Sequence, residues 1–451
     1  MKAFKAYDIR GVYGRDFDGE TVYRIGFFLP GLLKADKVLV GYDCRESTPD
    51  VLSSLVRGIT DSGADVYDVG LATTPMVYFA TAVHGFGASV QITASHNPAE
   101  YNGLKISRTG ALPVGYDTGL SELEKMVKTR AVQPVVFGGE LKELRGVKEE
   151  YITFLKKHRG NYSDLKIGID CSNGMAALLV RDIFGSEPQY LFDRLDGTFP
   201  GHPPNPLDEA NTADLKRLVL DGGLDVGVIF DGDGDRVMFI DEKGRFIRPD
   251  LITGVLGLHF LRQGNPRVLH DIRTSRGVIE YIEKLGGRPF MWKVGHSHAK
   301  MKMRELNAIY GGELAGHYYF RDFFNCDSGM LAAILVLNIL SELKKQRKTF
   351  SGLIDSINIY SNSGEINFRV DDKKTTMNSV AEYFTQAEKP AAYYDFDGYR
   401  VEYPHWWFNI RPSNTEPYLR LVAEAETPGL LEEKLNKIKE LIRKAGGYEK
   451  T

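Results

Sequence analysis

Apolar residues in this chain come in short unbroken runs that end on a carboxylate and a polar turn. Residues 38–43 are apolar up to Asp43 and lead through Arg45 and Ser47 into a stretch that turns apolar at Val51. Residues 166–170 end on Asp170 and continue through Ser172, Asn173 and Gly174 into another apolar stretch. Residues 268–271 end on Asp271, followed by Arg273, Ser275, Arg276 and Gly277, then Val278 and Ile279. Short, mostly apolar runs of this length suit strands, and a polar turn before an apolar stretch marks a helix start. Each copy predicts strand, turn and helix, and the copies recur at intervals of roughly 100–130 residues.

A second loop follows each copy by roughly 40–60 residues. These loops are residues 93–98, 231–236 and 311–317. The pattern predicts three related α/β units, each offering one loop to a shared site. The last hundred residues differ. Residues 364–370, 399–403, 406–410 and 418–423 read as strands, and 430–444 as a charged amphipathic helix. Strands followed by a helix predict an α+β module. The expected divisions are 1–142, 143–243, 244–354 and 355–451.

Composition narrows the function. The 451 residues are 43% hydrophobic and 26% charged, with a formal net charge of -3 from 57 basic and 60 acidic residues. That balance offers no electrostatic footprint for nucleic acid or a membrane surface. Cys44, Cys171 and Cys326 form no paired spacing, which fits a reducing compartment. The first residues lack an apolar signal region, and the longest apolar run, 330–340, is too short to span a bilayer. A cytoplasmic protein is expected.

The sharpest chemical feature is Asp231-Gly232-Asp233-Gly234-Asp235-Arg236, after an apolar strand at 224–230. Alternating carboxylates with glycines that permit tight turns make an oxygen site for a hard cation, Mg²⁺ or Ca²⁺ rather than zinc. An EF-hand loop would need glycine where Arg236 stands, and a helix before it. The loop Thr93-Ala94-Ser95-His96-Asn97-Pro98 presents a candidate serine nucleophile at a strand end. It lacks the glycines of the esterase elbow, which argues against an acyl-enzyme. Gly311-Gly312-Glu313-Leu314-Ala315-Gly316-His317 offers a carboxylate and an imidazole suited to sugar hydroxyls. Arg411-Pro412-Ser413-Asn414-Thr415-Glu416-Pro417 offers donors suited to a phosphate.

Together these loops resemble the α-D-phosphohexomutase superfamily, in its phosphomannomutase/phosphoglucomutase branch. The resemblance extends to residues 7–11, Gly103-Leu104-Lys105, Asp196-Gly197-Thr198-Phe199-Pro200, Pro204-Asn205-Pro206 and Lys293-Val294-Gly295-His296. It implies three related α/β domains plus a C-terminal α+β domain around a central active-site cleft. It implies reversible interconversion of hexose 1-phosphate and hexose 6-phosphate through a phosphoserine and a 1,6-bisphosphate, with that bisphosphate as activator. Ser95 would be the phosphoserine, and Asp231, Asp233 and Asp235 with a phosphoserine oxygen would hold Mg²⁺. Glu313 and His317 would read sugar hydroxyls, and Arg411, Ser413, Asn414 and Thr415 would clamp the phosphate that is not transferred. Arg10, Lys105, Arg236 and His296 would line the reacting end, with His296 the candidate base and Lys105 the alternative if its pKa is depressed. Arg273 stands where a close branch carries lysine and joins the substrate contacts. Ala315 replaces a usual serine, which opens the choice among mannose, glucose and glucosamine. The expected partners are small hexose phosphates, with the protein a monomer or homodimer. A phosphatase or an inert sugar-phosphate-binding protein are the competing classes.

Overall fold

The computed structural model describes residues 1–261, 264–413 and 418–450. Three units share one strand arrangement. In the first, Lys37–Tyr42 pairs parallel with Asp65–Leu71 on one side and Ala88–Ile92 on the other, and Ala88–Ile92 turns back antiparallel into Tyr101–Arg108. The second repeats this with Ile167–Asp170, Gln189–Leu191, Val226–Phe230 and Val237–Asp241. The third repeats it with Arg267–Asp271, Arg288–Trp292, Tyr310–Gly312 and Tyr318–Phe320.

The recurring carboxylate has one physical task in all three units. Asp43, Asp170 and Asp271 each accept the backbone N–H two residues on, from Arg45, Ser172 and Arg273, at 3.1, 2.8 and 2.7 Å. An aspartate side chain that mimics a backbone turn in this way turns the chain out of the strand. Helices Thr48–Asp61 and Arg276–Lys284 follow in the first and third units. The second unit departs from the expected helix start. Ser172 and Asn173 both sit at left-handed φ (51° and 52°), and only the turn Met175–Leu178 and the short helix Val180–Phe184 follow.

One apolar core runs from helix Thr74–Val83 of the first unit through the second and third, around the long helix Gly329–Lys345. Ser328 caps that helix by accepting the Leu331 N–H. The fourth unit is an antiparallel sheet through Tyr399–Glu402, Trp406–Pro412, Tyr418–Ala425 and Ile366–Arg369. Helices Lys373–Ala387 and Pro428–Lys444 supply the rest of its separate core, where Phe384 and Ile438 meet Trp406, Phe408 and Leu421. The α/β repeats and the α+β module expected from the sequence are both present. Among the described residues, no helix is long and apolar enough to cross a membrane.

Candidate active site

The loops 93–98, 231–236 and 313–317 are the same hairpin in three copies. Each joins the third strand of its unit to the antiparallel fourth. The second and third meet directly: Val237 N donates to the Gly316 carbonyl at 3.3 Å, and Arg236 and His317 form a bridge.

Ser95 is fully buried, with φ at 53°. A left-handed serine is uncommon and costs conformational energy, so its surroundings must hold it there. Its N–H donates to Thr93 Oγ1 at 2.9 Å, and its hydroxyl donates to Asp231 Oδ2 at 2.8 Å. Gly232 permits this approach, because a Cβ there would lie 2.4 Å from the Ser95 carbonyl oxygen. From below, Arg45 donates to the carbonyls of Ser95 (2.8 Å), Asn97 (2.7 Å), Pro98 (2.6 Å) and Tyr101 (3.0 Å). Asp43 orients Arg45, and Phe199 lies 5.0 Å from its guanidinium. The Asp196–Pro200 motif of the second unit thereby supports the serine loop of the first.

Asp231, Asp233 and Asp235 are buried, with carboxylate oxygens mutually within 4.8 Å. Lys105 donates to Asp233 Oδ2 (2.6 Å) and Asp235 Oδ2 (2.5 Å), and the Thr74 hydroxyl also donates to Asp233 Oδ2. Asp233 Oδ1 and Asp235 Oδ1 are buried and accept no hydrogen bond. Burial, then Asp233 and Asp235, push the Asp231 carboxyl well above its ordinary range. Burial would also raise Asp233, but Lys105 and Thr74 outweigh it and hold that carboxyl down. Buried oxygen donors lacking protons to accept fit a hard divalent cation.

Cationic groups surround the serine. Arg10 donates to Asn97 Oδ1 at 2.9 Å and pairs with Asp8. Arg236 Nε stands 3.9 Å from both Asp231 and Asp235. Burial would lower the Lys105 pKa, yet Asp233 and Asp235 raise it above the ordinary lysine value. Lys105 as the alternative base would need a depressed pKa, and its two carboxylate partners act in the opposite direction.

His296 opens helix His296–Leu306, and its ring is 5.8 Å from that of His317. Burial first, then Lys300, lowers its pKa well below the usual imidazole value, and Nδ1 is buried without a hydrogen bond. His317 Nδ1 lies 2.6 Å from Asp327 Oδ2, and Lys300 pairs with Asp327 Oδ1 at 2.7 Å. Glu313 is engaged: Oε1 accepts the Gly295 N–H at 2.6 Å and Oε2 accepts from Tyr319. A sugar hydroxyl would meet only its remaining lone pairs.

The fourth unit brings Arg411 to the far end. Arg411 is buried, its Nε has no hydrogen bond, and Asp397 Oδ1 stands 3.7 Å from Nη1. Burial first, and then Arg273, lower its pKa. Arg273 binds Asp271 and reaches Glu365 at 2.9 Å, and Arg420 reaches the same Glu365 at 2.9 Å. Three guanidinium groups, of Arg273, Arg411 and Arg420, face three carboxylates, of Asp271, Glu365 and Asp397. Ser413 N donates to Tyr418 O at 2.8 Å. The expected contacts Asn414 and Thr415 lie outside the described residues.

Sequence reading missed Arg45, Thr74, Lys300, Asp327, Asp397 and Arg420. Arg420 had a signal. Alternation along Tyr418–Ala425 buries Leu419, Leu421 and Ala423 in the core, so Arg420 shares a face with Arg411, its partner across the hairpin.

Comparison with known proteins gives one answer along the whole chain. The phosphoglucomutase/phosphomannomutase alpha/beta/alpha domains I, II and III match residues 1–133, 149–244 and 248–360, and the C-terminal domain matches 365–443. A phosphomannomutase of Vibrio cholerae is 37% identical, covering 98% of this chain and 99% of its own. One of Methanocaldococcus jannaschii is 36% identical, covering 98% of each. The solved structure of a phosphoglucomutase/phosphomannomutase family protein from Burkholderia thailandensis superposes with a TM-score of 0.86 at 28% identity, over 99% of this chain and 98% of that one. With all four domains matched in order and these loops in place, the chain belongs to the phosphoglucomutase/phosphomannomutase family.

Proposed function

We propose that this protein is a phosphohexomutase that interconverts hexose 1-phosphates and hexose 6-phosphates through phosphorylated Ser95. The observation that carries the reading is the strained, buried Ser95 hydroxyl 2.8 Å from Asp231, at the rim of a carboxylate cluster with two unsatisfied oxygens.

Phospho-Ser95 gives its phosphoryl group to the free hydroxyl of the bound hexose monophosphate. The O–P bond at serine breaks, one forms at the sugar, the sugar hydroxyl proton passes to a base, and the Ser95 oxygen takes up a proton in its place. The bisphosphate so formed turns round, its other phosphoryl group returns to Ser95, and the isomeric monophosphate leaves. A phosphoserine carries about -1.5 to -2 charges near neutral pH, so a second dianion beside it needs compensation. Arg10, Lys105 and Arg236 supply positive charge around the transferring oxygens. Asp231, Asp233 and Asp235, with a phosphoserine oxygen, are the ligands we assign to Mg²⁺, which when bound neutralises and orients the phosphoryl group. Arg411, with Ser413, Asn414 and Thr415, takes the phosphate that is not reacting, helped by Arg273 and Arg420. Glu313 and His317 read the sugar ring.

His296 is our candidate base, because a neutral imidazole with a bare buried Nδ1 can accept a proton. Hexose phosphates are the ligands this charge distribution suits, with hexose 1,6-bisphosphate as activator.

The test is a mutase assay with Mg²⁺, trace hexose 1,6-bisphosphate and the 1-phosphates of mannose, glucose and glucosamine, compared by kcat/KM. Turnover of at least one, lost in Ser95→Ala, is expected. Release of inorganic phosphate in place of an isomer would identify a phosphatase. Undiminished binding with no turnover in the parent protein would identify an inert binder.

A further inference from the structure

One peptide segment, Val294–Gly295, is gripped by three of the four units. The Tyr7 hydroxyl of the first donates to the Val294 carbonyl at 2.9 Å. Glu313 of the third accepts the Gly295 N–H at 2.6 Å. Asp397 of the fourth accepts the Val294 N–H on Oδ2 at 2.7 Å. Gly295 sits at φ 123°, and a Cβ there would lie 2.4 Å from the Tyr7 ring. The next residue is His296, whose ring packs edge-on against Tyr7.

Asp397 divides its two oxygens between the ends of the site. Oδ2 holds the turn that leads into His296 and that Glu313 also grips, while Oδ1 faces Arg411 at 3.7 Å. A carboxylate accepting an N–H makes a stronger bond than a neutral acceptor. Beside it, Trp292 of the third unit stacks on Phe396 of the fourth at 5.7 Å. Other polar contacts also join these units: Arg273 reaches Glu365, the Arg276 N–H donates to Glu424, Arg276 binds the Tyr403 and Pro404 carbonyls, and Arg400 binds the Ile272 and Thr274 carbonyls. The fourth unit has its own core, so its position over the site depends on such contacts.

We propose that Asp397 is a positioning residue that keeps the phosphate-clamping unit docked on the Val294–Gly295 turn while the bisphosphate turns round. It touches no reacting atom. This rests on the mutase reading above. Its consequence is retention: a bisphosphate that must rotate before its second transfer is lost whenever the cleft opens first.

The experiment mixes phosphorylated protein with hexose 1-phosphate and counts bisphosphate released per turnover. Asp397→Ala is expected to release at least about tenfold more than the parent, the size of losing one charge-assisted hydrogen bond. Added bisphosphate should then restore its kcat. Asp397→Asn keeps an acceptor for the Val294 N–H and should leak less than the alanine variant. A folded Asp397→Ala with parental release, or with lost kcat that bisphosphate does not restore, overturns the proposal. Equal leakage from both variants overturns the role of the Val294 contact.

A second readout needs no turnover. Trp406 and Trp407 are buried at 4% and 1% exposure, whereas Trp292 is partly exposed, so acrylamide quenching reports chiefly on the Trp292–Phe396 contact. With inorganic phosphate present, quenching should rise in Asp397→Ala and stay near parental in Asp397→Asn; unchanged quenching in Asp397→Ala counts against the proposal. If the parent turns over no hexose phosphate, the mutase reading fails, yet this measurement still tests the docking contact.

Discussion

The guanidinium of Arg45 holds the carbonyl of Ser95 at 2.8 Å, and from the same buried position it holds three further carbonyls of the serine loop. A left-handed serine persists only where the surrounding structure fixes it, and this one cation does much of the fixing. Lysine in its place could satisfy at most three acceptors and would lack the planar fork. Arg45→Lys is expected to cost about 3–5 kcal/mol of stability, the scale of breaking a buried charged network. It should also slow loading of phosphate onto Ser95. Denaturant titration reads the first effect, and intact mass after incubation with hexose 1,6-bisphosphate reads the second. A variant with parental stability and loading would show that the loop holds its own shape.

Much of the site could be read from the chain because it lies on local motifs. Ser95 and the carboxylates at 231, 233 and 235 sit in strand-end loops that the strand patterns predict, and the repeated Asp43, Asp170 and Asp271 announced three related units. What escaped is contact across units. Thr74 reaches Asp233 over 159 positions, and Asp397 reaches Val294 over 103. Nothing in a local pattern marks such a residue, since its neighbours are set by how units pack. Lys105 shows the converse limit. Its place in the site was legible, but the direction of its pKa depended on two carboxylates from another unit.

Thr74 should matter through the metal cluster. Its hydroxyl donates to Asp233 Oδ2, and its N–H donates to the Asp233 carbonyl at 3.0 Å. Removing a partner that orients a ligating carboxylate typically costs about 10–100-fold in metal affinity. Thr74→Val is expected to weaken Mg²⁺ binding by that factor, measured by calorimetric titration, while kcat at saturating Mg²⁺ stays within a few fold. Unchanged affinity would mean that Lys105 alone orients Asp233.

Ala315 leaves the sugar loop one hydroxyl short of the pattern its family resemblance implies. A hydrogen bond to a sugar hydroxyl is worth about 0.5–1.5 kcal/mol net, or roughly two- to tenfold in kcat/KM. Ala315→Ser should therefore change the ratio of kcat/KM for mannose 1-phosphate over glucose 1-phosphate by up to about tenfold. The two sugars differ only at the 2-hydroxyl, so a shifted ratio locates the loop beside that position. An equal effect on both would assign the loop to a hydroxyl they share.

His202 and Asp170 make a pH-dependent contribution to the second unit. His202 Nε2 lies 3.1 Å from Asp170 Oδ2, and the aspartate side chain is fully buried. Burial pulls the His202 pKa down, but the Asp170 carboxylate outweighs it, and the net shift is upward. A group that binds its proton more tightly when folded stabilises the fold once protonated. The contribution is therefore complete below the ordinary imidazole value of about 6.5 and is lost as pH rises through the higher folded value. Burial raises Asp170 itself, which acts in the same direction at lower pH. Replacing His202 with glutamine keeps a polar side chain near Asp170 but removes the titration. The parent should exceed His202→Gln in Tm most clearly near pH 5.5, with the gap narrowing as the pH rises above 7. A gap that stays constant across that range would mean that His202 acts as a neutral hydrogen-bond partner. A gap that widens with pH would reverse the sign of the coupling between the two side chains.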